Sequence, residues 1–262
     1  MKHLLIIAIL SALVTPAFTQ MKQGKIIYER KSQLQIQIND PAFSNMMPKE
    51  RKDKFELLFA DNKTLWRATE EQPEEMSYDN GGAQIRIITP GSNDVLYSDL
   101  NASRKVEQRE VMTKQFTIED SIRRYNWKIG SETRDILGYA CKKATTTRTN
   151  QSQRVSMDNG EMKRETVTDT LHIVAWFTDA IAVPAGPENY QGQLPGTILE
   201  VDVNNGRTSI TALEISPKVD SKEIKEPKGK KISPEEYAKE RDKMFKEMEK
   251  NSGGNVNIRV GN

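Results

Sequence analysis

The sequence predicts a mainly β protein, β-rich α+β in class: a curved antiparallel sheet with one C-terminal amphipathic helix. Three observations predict it. Apolar residues recur with period two through most of the chain, as in Leu57 and Phe59 or Val174 and Trp176. Asn159-Gly160 and Asn205-Gly206 supply hairpin turn chemistry between β-rich segments. A helical period appears clearly only near the C-terminus.

The chain has 262 residues, enough for a domain with its own core. Lysine and arginine number 39 against 37 acidic residues, a net charge of +2 that argues against a nucleic-acid-binding protein. Apolar residues make up 36% and charged residues 29%, so a modest core and sizeable polar loops are expected. One cysteine excludes an internal disulfide, and with two histidines it leaves too few ligands for a self-contained zinc or iron–sulfur site.

In chain order, Lys2 and His3 precede an apolar run from Leu4 to Val14, then Pro16 and Ala17-Phe18-Thr19. This is a secretory signal peptide over residues 1–19, with cleavage before Gln20. The apolar run is too short for a bilayer span, and no transmembrane segment is expected in the mature chain. Residues 24–39 read as a half-buried strand. Residues 40–53 carry Pro41 and Pro48 and read as an irregular or short helical crossing. Phe55, Leu57 and Phe59 alternate, Asp61-Asn62 turns the chain, and Thr64–Trp66 returns. Short strands follow over 83–88, 95–100 and 104–112. Tyr125, Trp127 and Ile129 alternate before Gly130, and residues 138–147 form another strand. Residues 165–177 form the clearest late strand, apolar on both faces near its end and so central in the sheet. Residues 197–203 and 207–215 make a second hairpin.

The β-rich domain therefore runs over 20–216. Residues 217–232, rich in lysine, glutamate and proline, read as a charged linker. Ser233-Pro234-Glu235-Glu236 is a helix start, with Ser233 at the N-cap and Glu236 at N3. Tyr237, Arg241, Met244, Phe245 and Met248 share one stripe of a helix over 233–250. Residues 251–262 form a loose tail.

Catalytic motifs are absent: there is no P-loop, GxGxxG, HExxH, CxxC or GxSxG. Cys141 lies in a strand, and His172 in another, with no third group to complete a nucleophilic site. The acidic residues from Glu70 to Asp79 lack calcium-loop spacing, and Met46-Met47 stand alone as thioether ligands. No catalytic residue, cofactor or metal is expected. Gly186-Pro187 and Leu194-Pro195-Gly196 punctuate the chain between two strong strands, with Pro195-Gly196 suited to a type II turn. The segment reads either as a strand crossing or as a ligand or partner rim formed by Tyr190, Leu194, Pro195 and Gly196.

Residues 192–200, GQLPGTILE, resemble the signature of the GLPGLI family of secreted or periplasmic Bacteroidetes proteins. Two further blocks carry the resemblance. The first runs from Trp127 through Gly138-Tyr139 to Cys141-Lys142-Lys143-Ala144-Thr145. The second includes Ala175-Trp176-Phe177-Thr178, Pro184 and Gly186-Pro187. The resemblance implies an envelope location, periplasmic or extracellular, and an uncharacterised role. Periplasmic lipoprotein-carrier half-barrels, whose concave face holds lipid, are the first architecture for comparison, by analogy of fold alone. The function expected from all this is non-enzymatic binding of a partner protein or an apolar ligand. An envelope hydrolase whose site spacing does not reveal is the alternative.

Overall fold

The computed structural model describes residues 20–33, 48–70, 76–79, 84–87, 93–111, 114–158 and 161–251. The signal-peptide, Leu34–Asn39 and tail expectations lie outside these residues. The strands are β1 (Gly24–Gln33), β2 (Glu50–Ala60), β3 (Lys63–Ala68), β4 (Met76–Asp79), β5 (Gln84–Ile87), β6 (Val95–Asp99) and β7 (Arg104–Val111). They continue with β8 (Lys114–Ser121), β9 (Lys128–Ile136), β10 (Tyr139–Asp158), β11 (Glu161–Thr178), β12 (Thr197–Val203), β13 (Thr208–Ser216) and β14 (Lys231–Ile232). One α-helix, α1 (Pro234–Asn251), follows.

Twelve strands form one sheet in the order β14-β8-β7-β6-β3-β2-β1-β13-β12-β11-β10-β9; β4 and β5 pair separately. Every pairing in the large sheet is antiparallel except β14 with β8. The sheet is bent. Leu96 on β6 and Cys141 on β10 stand seven strands apart, about 34 Å in a flat sheet. They nevertheless share one buried cluster with Tyr28, Phe55, Phe59, Trp66 and Ile210.

Local patterns explain the strands. In β11, Ile173, Ala175 and Phe177 are buried while His172, Val174 and Trp176 are not, the alternation that a one-sided strand requires. The β12–β13 turn places Asn204, Asn205 and Gly206 at φ 52°, 53° and 87°, which asparagine and glycine tolerate. Several elements differ from expectation: the alternation at Tyr125 and Trp127 is not strand, β9 begins at Lys128 and runs on through Gly130, and β4 and β14 were not expected as strands. Residues 50–53 belong to β2, because Arg51 and Asp53 continue its inward alternation as a buried ion pair. Residues 114–121, unassigned in the sequence reading, form β8, with Phe116 and Ile118 buried.

The segment from Asp179 to Gly196 crosses the inside of the bend. Ile181, Val183 and Ala185 are fully enclosed in the main cluster. The Ile198 amide donates to the Ala185 carbonyl at 2.9 Å, and the Tyr28 hydroxyl donates to the Ile198 carbonyl at 2.6 Å. Met21 bridges to Ile181, so the start of the described chain is tied to the same crossing.

Residues 217–232 lie along the sheet. Ile224 is buried beside Leu58 and Val106, and Lys231–Ile232 add the parallel strand β14. Helix α1 opens with the expected reciprocal cap: the Ser233 amide donates to Glu236 Oε2 at 2.8 Å, and the Glu236 amide donates to Ser233 Oγ at 3.1 Å. Tyr237 and Met244 pack on Val111, Phe116 and Ile118. Among the described residues no helix is long and apolar enough to cross a membrane.

Candidate functional site

The crossing surfaces as a single 3₁₀ turn over Glu188–Tyr190, and polar groups from several strands converge on it. Asp53, only 2% exposed, accepts from two guanidinium groups: Arg51 Nε at 2.9 Å and Arg30 Nη2 at 3.2 Å. Arg30 Nη1 reaches Glu188 Oε1 at 2.7 Å. One guanidinium thus bridges two carboxylates, giving one charge-assisted N–H bond to each. Burial opposes the Arg30 charge, but the Glu188 and Asp53 carboxylates more than offset it and hold its pKa above the ordinary arginine value.

Glu188 differs from Asp53 in two ways. Its side chain is 27% exposed, and its backbone is left-handed at φ 48°. A glutamate in that region costs about 1–3 kcal/mol, a strain that recurs at sites of function. Aromatic faces border the charges. The Arg30 guanidinium lies 4.5 Å above the Phe55 ring, which stacks on Trp66 at 4.9 Å and 11°.

Tyr190, at the end of the turn, meets Tyr125 at 6.3 Å and Trp127 at 6.5 Å between ring centroids. The Arg148 guanidinium sits 5.2 Å over Tyr125 and donates to its hydroxyl at 2.9 Å. Burial raises the Tyr190 and Tyr125 pKa values, Tyr125 against the opposing effect of Arg148. Gln193 holds the aromatic group in place. Its Oε1 accepts from the Tyr125 amide at 2.9 Å and Trp127 Nε1 at 3.4 Å, while its Nε2 donates to the Arg123 carbonyl at 3.0 Å.

The four rim residues named from sequence are spread across this crossing. Tyr190 stands in the aromatic group. Leu194 is buried with Phe177 and Ile198, and Pro195 is exposed. Gly196 is buried, and the expected positive φ is not found there. It falls at Gly192 instead, at 71°. What Gly196 meets is steric: a Cβ would lie 2.1 Å from the Thr178 carbonyl oxygen. Cys141 is fully buried, and burial pushes its thiol up to about 11. His172 pairs with Thr147, six residues further along β10 than Cys141, or about 20 Å away, so the two do not form a nucleophilic pair. Among the described residues no group of three or more histidine, cysteine or acidic side chains is placed to hold a metal.

Sequence reading missed Arg30, Asp53 and Glu188. The one local signal was a pair of charged residues, Arg51 and Asp53, on the inward parity of an otherwise apolar strand.

Fold and site together define a mainly β protein: a curved, largely antiparallel sheet of the sandwich type with one C-terminal helix. A family model described as Protein of unknown function (Porph_ging) matches residues 127–200. Those limits coincide with the first and last residues of the blocks quoted above, Trp127 and Glu200. No curated protein matches. Two solved structures of PNGF-II are similar at 17% identity. The one in space group P21 has a TM-score of 0.49 over 85% of this chain and 34% of that one. The one in space group C2 has a TM-score of 0.50 over 84% and 33%. The chain thus spans about a third of the length of the PNGF-II chains it matches. The expectation leaning against an enzyme is corrected by the second of these, whose fold this chain shares.

Proposed function

We propose that the chain is an exported envelope domain of hydrolytic function, belonging to the GLPGLI proteins and acting at the rim around Glu188. Cleavage after Thr19 delivers it to the periplasm or beyond. The observation that carries the hydrolytic reading is Glu188 itself: a carboxylate on strained backbone, partly open to solvent, anchored to Arg30 and thereby to buried Asp53. The shared fold adds support. A carboxylate anchored through one oxygen keeps further acceptor sites, so it can orient a water and take its proton as that water attacks. Arg30 and Arg51 supply fixed positive charge for an oxygen that gains negative charge in the transition state. The half-buried ring of Tyr190 gives a substrate an aromatic surface on which to rest.

Incubation of the purified protein with chromogenic ester, amide and glycoside substrates tests this. Turnover of at least one class is expected. It should fall by about a hundredfold or more in Glu188→Gln at unchanged thermal midpoint. Glu188→Gly removes the carboxylate while relieving the backbone, and should be equally inactive and well folded. Absence of turnover throughout, or equal turnover in the variants, overturns the reading.

A further inference from the structure

The large sheet is open and has two edges. One is β14, two residues long and flanked by α1 on the neighbouring strand β8. So short an edge offers almost no template for pairing. The other is β9, nine residues long, which pairs with β10 on one side only and is exposed along nearly its whole length.

Lys128, Glu132, Arg134 and Asp135 give β9 the charges that guard an edge against indiscriminate pairing. Yet among the described residues two of the three exposed large hydrophobic residues bracket it: Ile129, 54% exposed, and Leu137, 48% exposed. Leu137 also sits at φ 54° beside Gly138 at 82°, in a two-residue hairpin turn where asparagine would be at ease and leucine is strained. A strained leucine with half its surface in water is explained if something covers it.

We propose that β9 is a dimerisation edge, with two copies of the chain pairing antiparallel about a two-fold axis at Thr133. Opposed residues of an antiparallel pair share a face, so a two-fold pair must set one residue opposite itself. With Thr133 in that position, Glu132 stands opposite Arg134 of the second copy, each already paired in its own chain with Lys143 and Glu200 respectively, so that no like charges are opposed, while Ser131 faces Asp135 and Ile129 faces Leu137, each contact occurring twice. An axis at Glu132 sets two glutamates together and leaves Ile129 against Asp135. An axis at Arg134 opposes two arginines, and one at Ser131 sets Lys128 against Arg134. Like charges directly opposed destabilise a pair, and opposite charges or apolar groups stabilise it, so the Thr133 register is selected. The β9–β10 ladder slips where residues 129–133 span 142–144. The two extra residues preserve alternation, so Ile129, Ser131, Thr133, Asp135 and Leu137 keep one face.

Analytical ultracentrifugation of the purified protein at micromolar concentration is expected to show a dimer. Leu137→Asn should weaken it by about tenfold or more while the thermal midpoint stays level or rises, because asparagine tolerates the left-handed backbone. Under mild oxidation Thr133→Cys should give a disulfide-linked dimer, since the two new thiols face one another. Glu132→Cys should not, and buried Cys141 is common to both. A monomer across the concentration range overturns the proposal. So does a dimer that Leu137→Asn leaves intact, or one in which Thr133→Cys links no better than Glu132→Cys.

Discussion

Gly196 and Thr178 approach so closely that a Cβ on the glycine would stand 2.1 Å from the threonine carbonyl oxygen. This contact joins the two ends of the crossing, just where β11 hands the chain to β12 and the ladder opens with Thr178 opposite Thr197. The backbone of β11 cannot retreat without disturbing Phe177, which is fully buried.

Gly196→Val should therefore destabilise the protein by about 1–3 kcal/mol or more, through overpacking rather than through φ. Gly130→Ala is the control. A Cβ there meets nothing nearer than 3.8 Å, and its cost should stay within about 0.5 kcal/mol. Paired urea melts check both, and equal losses would contradict the steric account.

Acid should weaken the ion pairs that hold residues 217–232 to the sheet. Glu226 accepts from Arg104 and Lys231, and these two partners hold its pKa down to about 2, below the ordinary 4.5. A carboxyl depressed on folding stabilises the protein above its unfolded pKa, and that contribution is lost as pH falls from about 4.5 to 2. Glu226→Gln should lower stability at pH 7, flatten the acid limb and converge with the parent near pH 2. Melts across that window give the comparison.

Ser233→Ala removes one half of the reciprocal cap on α1. The expected loss is about 0.5–2 kcal/mol, read from the thermal midpoint.

Protein recovered from its native envelope should begin at Gln20. Intact mass decides this, and a chain that keeps Lys2 and His3 would refute the cleavage site.

Much of the architecture was legible because it is local. The alternation of Phe55, Leu57 and Phe59, the turn at Asn205-Gly206 and the Ser233–Glu236 cap each lie within a few residues, where period and turn chemistry act directly. The burial of Cys141 followed from its strand. Little of the candidate site was legible. Arg30 meets Asp53 across 23 positions and Glu188 across 158, and no periodicity relates residues so far apart. Glu188 stood in a glycine- and proline-punctuated loop whose rim or crossing character depended on which side of the sheet it took.

The sequence by itself determined most of the strands, the β2–β3 and β12–β13 hairpins, the helix and its cap, since each arises from neighbours along the chain. Only the tertiary structure decided that Asp179–Gly196 runs through the inside of the bend. Ile181, Val183 and Ala185 are apolar enough for either a surface turn or a core, and the choice came from the curvature of β6 to β10 enclosing them. That same burial forces the crossing back to the surface at Glu188, where Arg30 waits on a strand laid down long before it.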